Sequence, residues 1–233
     1  MILVGEKPAH KHITSRSRRP IRLLDIAAQS VPGSVHPYED RLLVDEGLGL
    51  FAVADGVTLS TQGSGAVGAE LALRLLRDNL SGDLASAIDK VNQIVVRRMG
   101  EDRTIGETTL TAVVVRQGAL QAANVGDSPA YLVRKGDMLS LVQEDRSPYG
   151  YITQAIGLTE TVSVHAMSLQ LEEGDTVIVA SDGVGHVLCP PFVDRMVDRS
   201  KAAEVAGAII QVASANVTEY DDDKSVIVLR YLP

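Results

Sequence analysis

Acidic residues follow several apolar runs of this sequence, each time where the chain turns. Asp55 lies in FAVADG, Asp127 follows AANVG, and Asp182 lies in VIVASDG, each beside a glycine. A further acidic cluster at 221–223 directly precedes SVIVLRYL. Gly and Asp are common turn residues, so each motif alone predicts only a turn. Because the arrangement recurs, we also consider that the carboxylates converge on one cleft.

Convergent carboxylates would bind hard divalent cations. Like charges in one cleft repel each other strongly unless cations neutralise them. Oxygen ligands without a His or Cys cluster favour Mg²⁺ or Mn²⁺ over zinc. We therefore predict that an acidic set surrounds divalent metal ions. The set comprises Glu39, Asp40, Asp55, Asp127, Asp182 and Asp222.

The composition predicts a globular protein with a sizeable aliphatic core. The chain has 233 residues, of which 45% are hydrophobic and 3% aromatic. That length suits one large domain or two small ones. The formal net charge of -8 argues against a general nucleic-acid role, because nucleic-acid-binding proteins present a basic face. The same acidic excess fits either solubility or cation binding.

Cysteine usage and apolar runs predict a cytoplasmic protein without a membrane partner. One cysteine excludes an internal disulfide framework and suits a reducing compartment. No apolar run approaches the roughly 20 residues of a membrane helix, and no secretory signal is recognisable. Residues 1–20 are predicted to form a basic arm, because residues 10–22 carry basic side chains and no acid. The arm is either solvated or in contact with an acidic partner or a phosphate.

Apolar spacing predicts helices after the FAVADG strand. A helix is predicted over 65–79, where apolar residues recur from Val67 at four-residue spacing. Asp83 is placed to cap a second helix, and Gly100 is placed to end it. Later, PPFVDRMVDR predicts a short helix, and residues 201–219 predict a final one.

Alternating and short apolar runs predict antiparallel strands. A first strand is expected near 21–30, and RLLVDEG with LGLFAVADG predicts a hairpin with Gly47 or Gly49 in its corner. TLTAVVVR, ALQAANV, AYLVR and MLSLVQ are separated by gaps too short for parallel crossovers. We therefore predict an antiparallel meander, followed by strands in 162–171, in GDTVIVASDG and in SVIVLRYL. Helices in separate blocks favour stacked sheets with helices outside.

Two further motifs match the sequence patterns of a nucleotide site and of a cysteine-phosphatase loop, but the residues around them argue against both functions. GSGAVG (63–68) matches a dinucleotide-binding fingerprint, but the preceding strand ends near Asp55 and its neighbours are antiparallel. The alternative is that small residues let the helix pack closely. CPPFVDR (189–195) has the spacing of a cysteine-phosphatase loop, but its two prolines have no N–H to donate to phosphate. We therefore expect Cys189 to be a buried free cysteine.

The order of the motifs resembles the metal-dependent protein serine/threonine phosphatases of type 2C, the PPM family. The resemblance runs from about residue 22 to 231. It implies an α+β fold, namely a four-layer α-β-β-α sandwich in which helix pairs flank two stacked antiparallel sheets. It also implies that residues 21–233 form one catalytic domain. The matching motifs are YEDR, FAVADG, ETTLTAVVV, ANVGDSPAYLV, TQAIG, LEEGDTVIVASDG and DDDKSVIVLRY.

The resemblance also implies a ligand set. Asp55 looks like the carboxylate that bridges two metals, with the Gly56 carbonyl on one of them. Asp182 and Asp222 would complete the ligands of the first metal, and Glu39 would hold the second through water. Asp127, with Asp182, looks like the ligand pair of a weaker third metal.

The sequence departs from the family pattern around the substrate phosphate. The usual phosphate-binding arginine is replaced by Val35, and His36 beside it is either a substitute donor or a plain turn residue. The histidine that usually follows the bridging aspartate is missing, and Thr58 and Ser60 are poor acids. The family's flap is reduced to PYGYITQ between residues 145–147 and 155–157, so we predict an open cleft with weak selection among phosphopeptides.

The resemblance implies a Mn²⁺- or Mg²⁺-dependent phosphatase of phosphoserine and phosphothreonine. Hydrolysis would be direct, by a hydroxide that two metals generate from a bridging water. The partners would be phosphorylated proteins, such as substrates of a serine/threonine kinase, and the chain is predicted to be a monomer. The alternative is a weak or inactive phosphatase-fold module that binds a phosphoprotein. A nucleotide-binding enzyme that uses GSGAVG is a third hypothesis.

Overall fold

The computed structural model describes residues 24–190, 193, 201–216 and 221–232. Its strands form two five-stranded antiparallel sheets, named here sheet I and sheet II. Sheet I contains β1 (Leu24–Val31), β6 (Ala130–Arg134), β7 (Asp137–Ser140), β9 (Thr176–Ala180) and β10 (Lys224–Tyr231), in the order β1-β10-β9-β6-β7. Sheet II contains β2 (Arg41–Asp45), β3 (Leu50–Ala54), β4 (Leu110–Arg116), β5 (Ala119–Val125) and β8 (His165–Gln170), in the order β2-β3-β4-β5-β8.

Helices cover the outer faces of both sheets. The described helices are α1 (Gly65–Asn79), α2 (Leu84–Glu101), the single-turn α3 (Asp182–Gly185) and α4 (Ala202–Ala215). One apolar cluster joins α1 and α2 to sheet II, and a second joins α3 and α4 to sheet I. A third cluster, which includes Phe51 and Ile227, fills the space between the sheets. The predicted four-layer α+β sandwich is confirmed.

Local sequence explains the first hairpin and the paired helices. β2 and β3 pair from Arg41↔Ala54 to Asp45↔Leu50, and Gly49 adopts a φ of 64° in the turn between them. α1 spans the predicted residues, although Val67 is 40% exposed rather than part of the buried face. Asp83 caps α2 by accepting from the Ser86 N–H.

The predicted end of α2 at Gly100 is wrong. The helix continues through Gly100 to Glu101, and the Asp102 N–H donates to the Arg98 carbonyl in the final turn. A Cβ on Gly100 would meet nothing within 4 Å. The helix therefore needs no special backbone conformation at this position, and the glycine does not act as a stop.

The predicted central meander is two hairpins that lie in different sheets. β5 pairs with β4 and β8 in sheet II, whereas β6 pairs with β7 and β9 in sheet I. Residues 126–129 therefore carry the chain from one sheet to the other. Gly126 turns there with a φ of 105°, and Thr111 Oγ1 donates to the Ser128 carbonyl at 2.7 Å. This corner between the sheets holds Asp127.

Several expectations lie wholly or partly outside the described residues. The basic arm over 1–20 lies outside them, as does most of the predicted helix at 190–199. The first strand is described from Leu24, and the final helix is described over Ala202–Ala215. Among the helices described, none has the length and apolar character to cross a bilayer. The division into an arm and one domain at 21–233 stays a prediction.

Candidate metal centre

Both sheets contribute carboxylates to one end of the sandwich. Asp55 directly follows β3 of sheet II, and Asp127 lies in the corner between the sheets. Asp182 is the first residue of α3, two residues after the end of β9 of sheet I, and Asp222 lies two residues before β10. Because β9 and β10 are paired neighbours, the end of one and the start of the other lie side by side.

Asp55 experiences the negative charge of several other carboxylates. Burial raises the pKa of Asp55 well above its ordinary value, and the charges of four other carboxylates raise it further. In decreasing order of effect these are Asp40, Asp182, Asp222 and Asp127. The structure therefore places four other members of the predicted acidic set near Asp55.

Asp40 and Asp127 also experience this negative charge. Burial raises the pKa of Asp40 to about 7, with added repulsion from Asp223 and Asp222. Burial and the charge of Asp182 raise the pKa of Asp127 to about 6. A cluster of this kind favours either protonation or a nearby cation.

Two buried carboxylate oxygens in the same region lack a protein partner. They are Oε2 of Glu39 and Oδ1 of Asp40, whose residues are 5% and 0% exposed. Buried polar atoms without partners are costly. Divalent cations with their water ligands would satisfy both the orphaned oxygens and the surplus negative charge. The residues present therefore fit hard divalent cations.

Asp223 holds the segment that carries Glu39 and Asp40. Its Oδ1 accepts from the Gly33 N–H at 2.7 Å, and its Oδ2 accepts from the N–H groups of Glu39 at 2.6 Å and Asp40 at 3.2 Å. Sequence reasoning selected only Asp222 from the acidic cluster. The run of three aspartates indicates a role for this segment, but the sequence does not show which of the three side chains turns inward.

Close backbone packing positions the ligands relative to each other. A Cβ on Gly183 would overlap the Asp223 carbonyl, so glycine at this position lets α3 approach the start of β10. A Cβ on Gly65 would lie 2.5 Å from the Gly56 carbonyl carbon. The small residues of GSGAVG therefore seat the N-terminus of α1 against Gly56, as the packing interpretation of that motif predicts.

His36 pairs with a predicted metal ligand. Its Nε2 lies 2.8 Å from Asp222 Oδ1, and its Nδ1 lies 3.0 Å from the Pro37 carbonyl. Burial lowers the pKa of His36, but the Pro37 carbonyl and the charges of Asp222 and Asp223 outweigh it and the net shift is upward. This favours a protonated ring that donates from both nitrogens. The predicted contact of His36 with phosphate stays a prediction.

His36, Asp222 and Asp223 offer ligand atoms that all lie within 4.8 Å of one another. This is the one such trio of His, Cys, Asp or Glu in the described part of the chain. Both Asp223 oxygens already accept backbone N–H groups. The trio is therefore better described as a hydrogen-bonded support beside the carboxylate cluster than as a separate metal site.

Arg146 is a site residue that sequence reasoning missed. Its Nε lies 3.0 Å from Asp127 Oδ2, and its Nη2 lies 2.6 Å from Asp182 Oδ2. It lines a cavity of about 350 Å³ together with Asp127, Asp182, Tyr131 and other residues. The sequence motif was visible as Asp145-Arg146-Ser147, but its proximity to Asp127 depends on the corner between the sheets.

Comparison with known proteins places the chain in a family. The model of the family described as "Stage II sporulation protein E (SpoIIE)" matches residues 50–232. The chain belongs to the SpoIIE family. The sequence resemblance to the type 2C phosphatases is confirmed, because similar curated proteins are named serine/threonine phosphatase stp or probable protein phosphatase 2C.

Two relatives illustrate the sequence similarity of this SpoIIE-family chain. The serine/threonine phosphatase stp of Listeria innocua is 24% identical over 211 residues, which cover 76% of this chain and 82% of the relative. The probable protein phosphatase 2C 1 of Oryza sativa subsp. japonica is 31% identical over 187 residues, which cover 75% of this chain but only 55% of the relative.

Solved structures share the fold of the SpoIIE-family chain. Stp1 from Staphylococcus aureus has a TM-score of 0.79 at 18% identity, covering 95% of this chain and 100% of that one. The Mycobacterium tuberculosis phosphatase PstP/Ppp has a TM-score of 0.75 at 23% identity, covering 91% and 100%. The catalytic domain of PstP in complex with two manganese ions has a TM-score of 0.73 at 23% identity, covering 91% and 99%.

The CPPFVDR motif of the SpoIIE-family chain differs from the prediction of a buried cysteine. Cys189 is exposed, so the prediction of a buried cysteine is wrong. Its N–H donates to the Val187 carbonyl and its own carbonyl accepts from the Val193 N–H. The cysteine follows the turn after α3, which places it on the surface instead of in the core beneath α4.

Proposed function

We propose that this chain is a protein serine/threonine phosphatase that uses Mn²⁺ or Mg²⁺. The observation that carries the proposal is the convergence of acidic side chains on Asp55, with repulsion from four other carboxylates. Cations bound within such a cluster would offset the repulsion between its carboxylates. Family membership supports the same activity, and the manganese complex of PstP supports the choice of metal.

The proposed ligands divide between two ions. Asp55, Gly56, Asp182 and Asp222 would hold the first ion, and Asp55 with Glu39 would hold the second. When bound, the ions would activate water for direct hydrolysis and offset charge on the phosphoryl group.

The chain's own residues would keep these ligands in place. Asp55 is fixed through its N–H, which donates to Thr109 Oγ1 at 3.0 Å. Glu39 is fixed through its N–H on Asp223. His36 orients Asp222 by contacting one of its oxygens. Preorganised ligands of this kind need little rearrangement during the reaction.

Two hydroxyls of the loop after Asp55 are bound to a carboxylate of the protein. The Ser60 hydroxyl donates to Glu107, and Thr61 Oγ1 donates to the same carboxylate. These hydroxyls are therefore occupied by the protein. We propose that a water molecule supplies the proton to the serine or threonine oxygen.

Hydrolysis assays test this function. Wild type, Asp182→Asn and the matched surface variant Asp78→Asn are assayed on p-nitrophenyl phosphate and a phosphothreonine peptide, with Mn²⁺, with Mg²⁺ and with chelator. We expect metal-dependent turnover in wild type and Asp78→Asn, and a loss of at least about 100-fold in Asp182→Asn. Turnover that persists in chelator would contradict the proposal.

A second candidate function follows from Val35. This residue is 56% exposed and occupies the position of the usual phosphate-binding arginine. The candidate is a phosphatase-fold module that binds a phosphoprotein without hydrolysing it. Folded wild-type protein that binds Mn²⁺ and a phosphopeptide, yet turns over neither substrate with any metal, would favour this module over the enzyme.

Partners and location follow from the proposed activity. Phosphorylated proteins would be the substrates, including those made by a serine/threonine kinase. We also propose that the chain is a cytoplasmic monomer and binds no nucleic acid. Light scattering after size-exclusion chromatography tests the monomer: one species of 24.8 kDa is expected, and a mass of twice that value would contradict it.

A further inference from the structure

The pair of carboxylates expected to hold a third metal already binds a cation of the protein. Arg146 contacts Asp127 through Nε at 3.0 Å and Asp182 through Nη2 at 2.6 Å. The Asp127 side chain is only 8% exposed, and that of Arg146 is 36% exposed. The guanidinium therefore lies between one acidic group in the corner between the sheets and another at the start of α3, and it reduces the surplus negative charge there.

A metal ion and this guanidinium would compete for the same place. Both contacts use Oδ2 atoms, one from Asp127 and one from Asp182. Arginine stays protonated under all ordinary conditions, so its charge cannot be removed to admit an ion. A divalent ion in contact with the same oxygens would be repelled by a fixed positive charge within a few ångströms.

The neighbouring residue fixes Arg146 against the corner between the sheets. Asp145 donates through its backbone N–H to the Gly126 carbonyl and accepts from the Gly126 N–H through Oδ2, both at 2.9 Å. Its Oδ1 lies 2.8 Å from His165 Nε2 and from Gln154 Nε2. Asp145 is 7% exposed. The segment that carries Arg146 is thus attached directly to the residue before Asp127.

A short hairpin restrains Arg146 from the other side. Arg146 and Ile152 form an isolated antiparallel bridge. The Ser147 N–H donates to the Tyr151 carbonyl at 2.8 Å, and the Thr153 N–H donates to the Asp145 carbonyl at 2.8 Å. These hydrogen bonds fix the backbone on both sides of Arg146 and therefore fix the position from which its side chain extends.

We propose that Arg146 takes the place of a third metal ion, so that this chain binds two divalent ions and no more at this centre. The inference rests on the proposed two-metal phosphatase. It replaces the expectation that Asp127 and Asp182 form a third metal site. Arg146 is a positioning residue here: it holds the Asp182 carboxylate by one oxygen and leaves the other for the first ion.

Metal stoichiometry tests the proposal without relying on activity. The full chain is titrated with Mn²⁺ by calorimetry, and bound metal is counted after equilibrium dialysis. Wild type is expected to bind two ions. Arg146→Ala is expected to bind a third, at least about tenfold more weakly than the first two. Arg146→Ala combined with Asp127→Asn is expected to return to two.

Charge and surface controls make the comparison specific. Arg146→Lys keeps a cation near the pair and is expected to stay at two ions, as is the exposed variant Arg97→Ala. If Arg146→Ala does not fold by circular dichroism, Arg146→Gln gives the same comparison with a longer side chain and no charge. Failure of the neutral variants to gain an ion would overturn the proposal.

The wild-type result separates the two proposals. Three ions on wild type would overturn the role of Arg146 and leave the proposed phosphatase intact. No bound ion on folded wild type would overturn both. Two ions on wild type with a third in the neutral variants is the outcome that supports both.

Discussion

Gly183 shows how one small residue sets the distance between two proposed metal ligands. It follows Asp182 and packs against the backbone of Asp223, next to Asp222. A side chain there must push α3 away from the start of β10. At the residue scale, the centre therefore depends on its carboxylates and equally on glycines that allow close backbone packing.

Gly183→Ala is expected to weaken metal binding and activity while the sheets remain folded. The added Cβ would overlap the Asp223 carbonyl and displace Asp182, and we expect a destabilisation of about 1–3 kcal/mol. Gly100→Ala is the matched control, because nothing lies within 4 Å of its Cβ and alanine favours a helix by about 1 kcal/mol. Denaturant unfolding and Mn²⁺ titration measure both. Unchanged Mn²⁺ affinity in Gly183→Ala would contradict the packing argument.

The motifs made the acidic residues of the candidate centre predictable, but not the residues that support them. Asp55, Asp127 and Asp182 could be selected because each stands beside a glycine at the end of an apolar run. Asp223 and Arg146 could not, because their roles are defined by partners distant in sequence. Asp223 accepts from Gly33 at a separation of 190 residues, and no local pattern carries that information.

At the scale of elements, the loop between β3 and α1 is held by one carboxylate. Glu107 is 2% exposed and accepts from both hydroxyls, Ser60 and Thr61, and from the Thr61 N–H at 2.9 Å. Burial raises the pKa of Glu107, but the bonds from Ser60 and Thr61 lower it more, so the net shift is below the ordinary 4.5. The ionised form therefore stabilises the folded state.

Glu107→Gln is expected to remove this pH-dependent stabilisation. Because the folded-state pKa is lowered, the contribution of Glu107 is present above pH 4.5 and is lost as the pH falls through the folded-state value. Wild type should therefore be more stable than the variant at pH 7, by about 1–3 kcal/mol. The difference should shrink in acid. Thermal unfolding between about pH 3 and about pH 7 measures this difference in stability between wild type and the variant. A difference that stays constant with pH would contradict the role of the ionised carboxylate.

The elements themselves were largely predictable, whereas their assignment to sheets was not. The first hairpin and α1 follow from turn residues and apolar spacing. The corner at 126–129 carries ordinary turn residues, and those specify a reversal without specifying the sheet that the next strand joins. Buried contacts decide that question, such as the 2.8 Å hydrogen bond between Thr109 Oγ1 and Ser128 Oγ.

At the scale of the whole molecule, a short hairpin borders the carboxylate centre, because its Arg146 contacts Asp127. Residues 145–157 return quickly to sheet II, where Thr108 and Ile156 form an antiparallel bridge. Tyr149 and Tyr151 in this hairpin are 86% and 74% exposed. Few groups beside the centre are therefore placed to select the residues that flank a phosphate.

Weak selection among phosphopeptides is the expected consequence. Across a panel of phosphothreonine peptides with acidic, basic and apolar flanks, kcat/KM should vary by less than about tenfold. Tyr149→Ala should change the ranking little, because its ring is mostly exposed in the absence of peptide. A preference of several hundredfold for one flanking sequence would show that the short hairpin is sufficient for specificity.

The central claim is that the carboxylates around Asp55 bind two metal ions. The most direct measurement is an anomalous difference map from crystals of the full chain grown with Mn²⁺. We expect two peaks that share Asp55, with Asp182 and Asp222 on one of them and Arg146 still between Asp127 and Asp182. Peaks confined to the His36, Asp222 and Asp223 trio, or no peak beside Asp55, would contradict it.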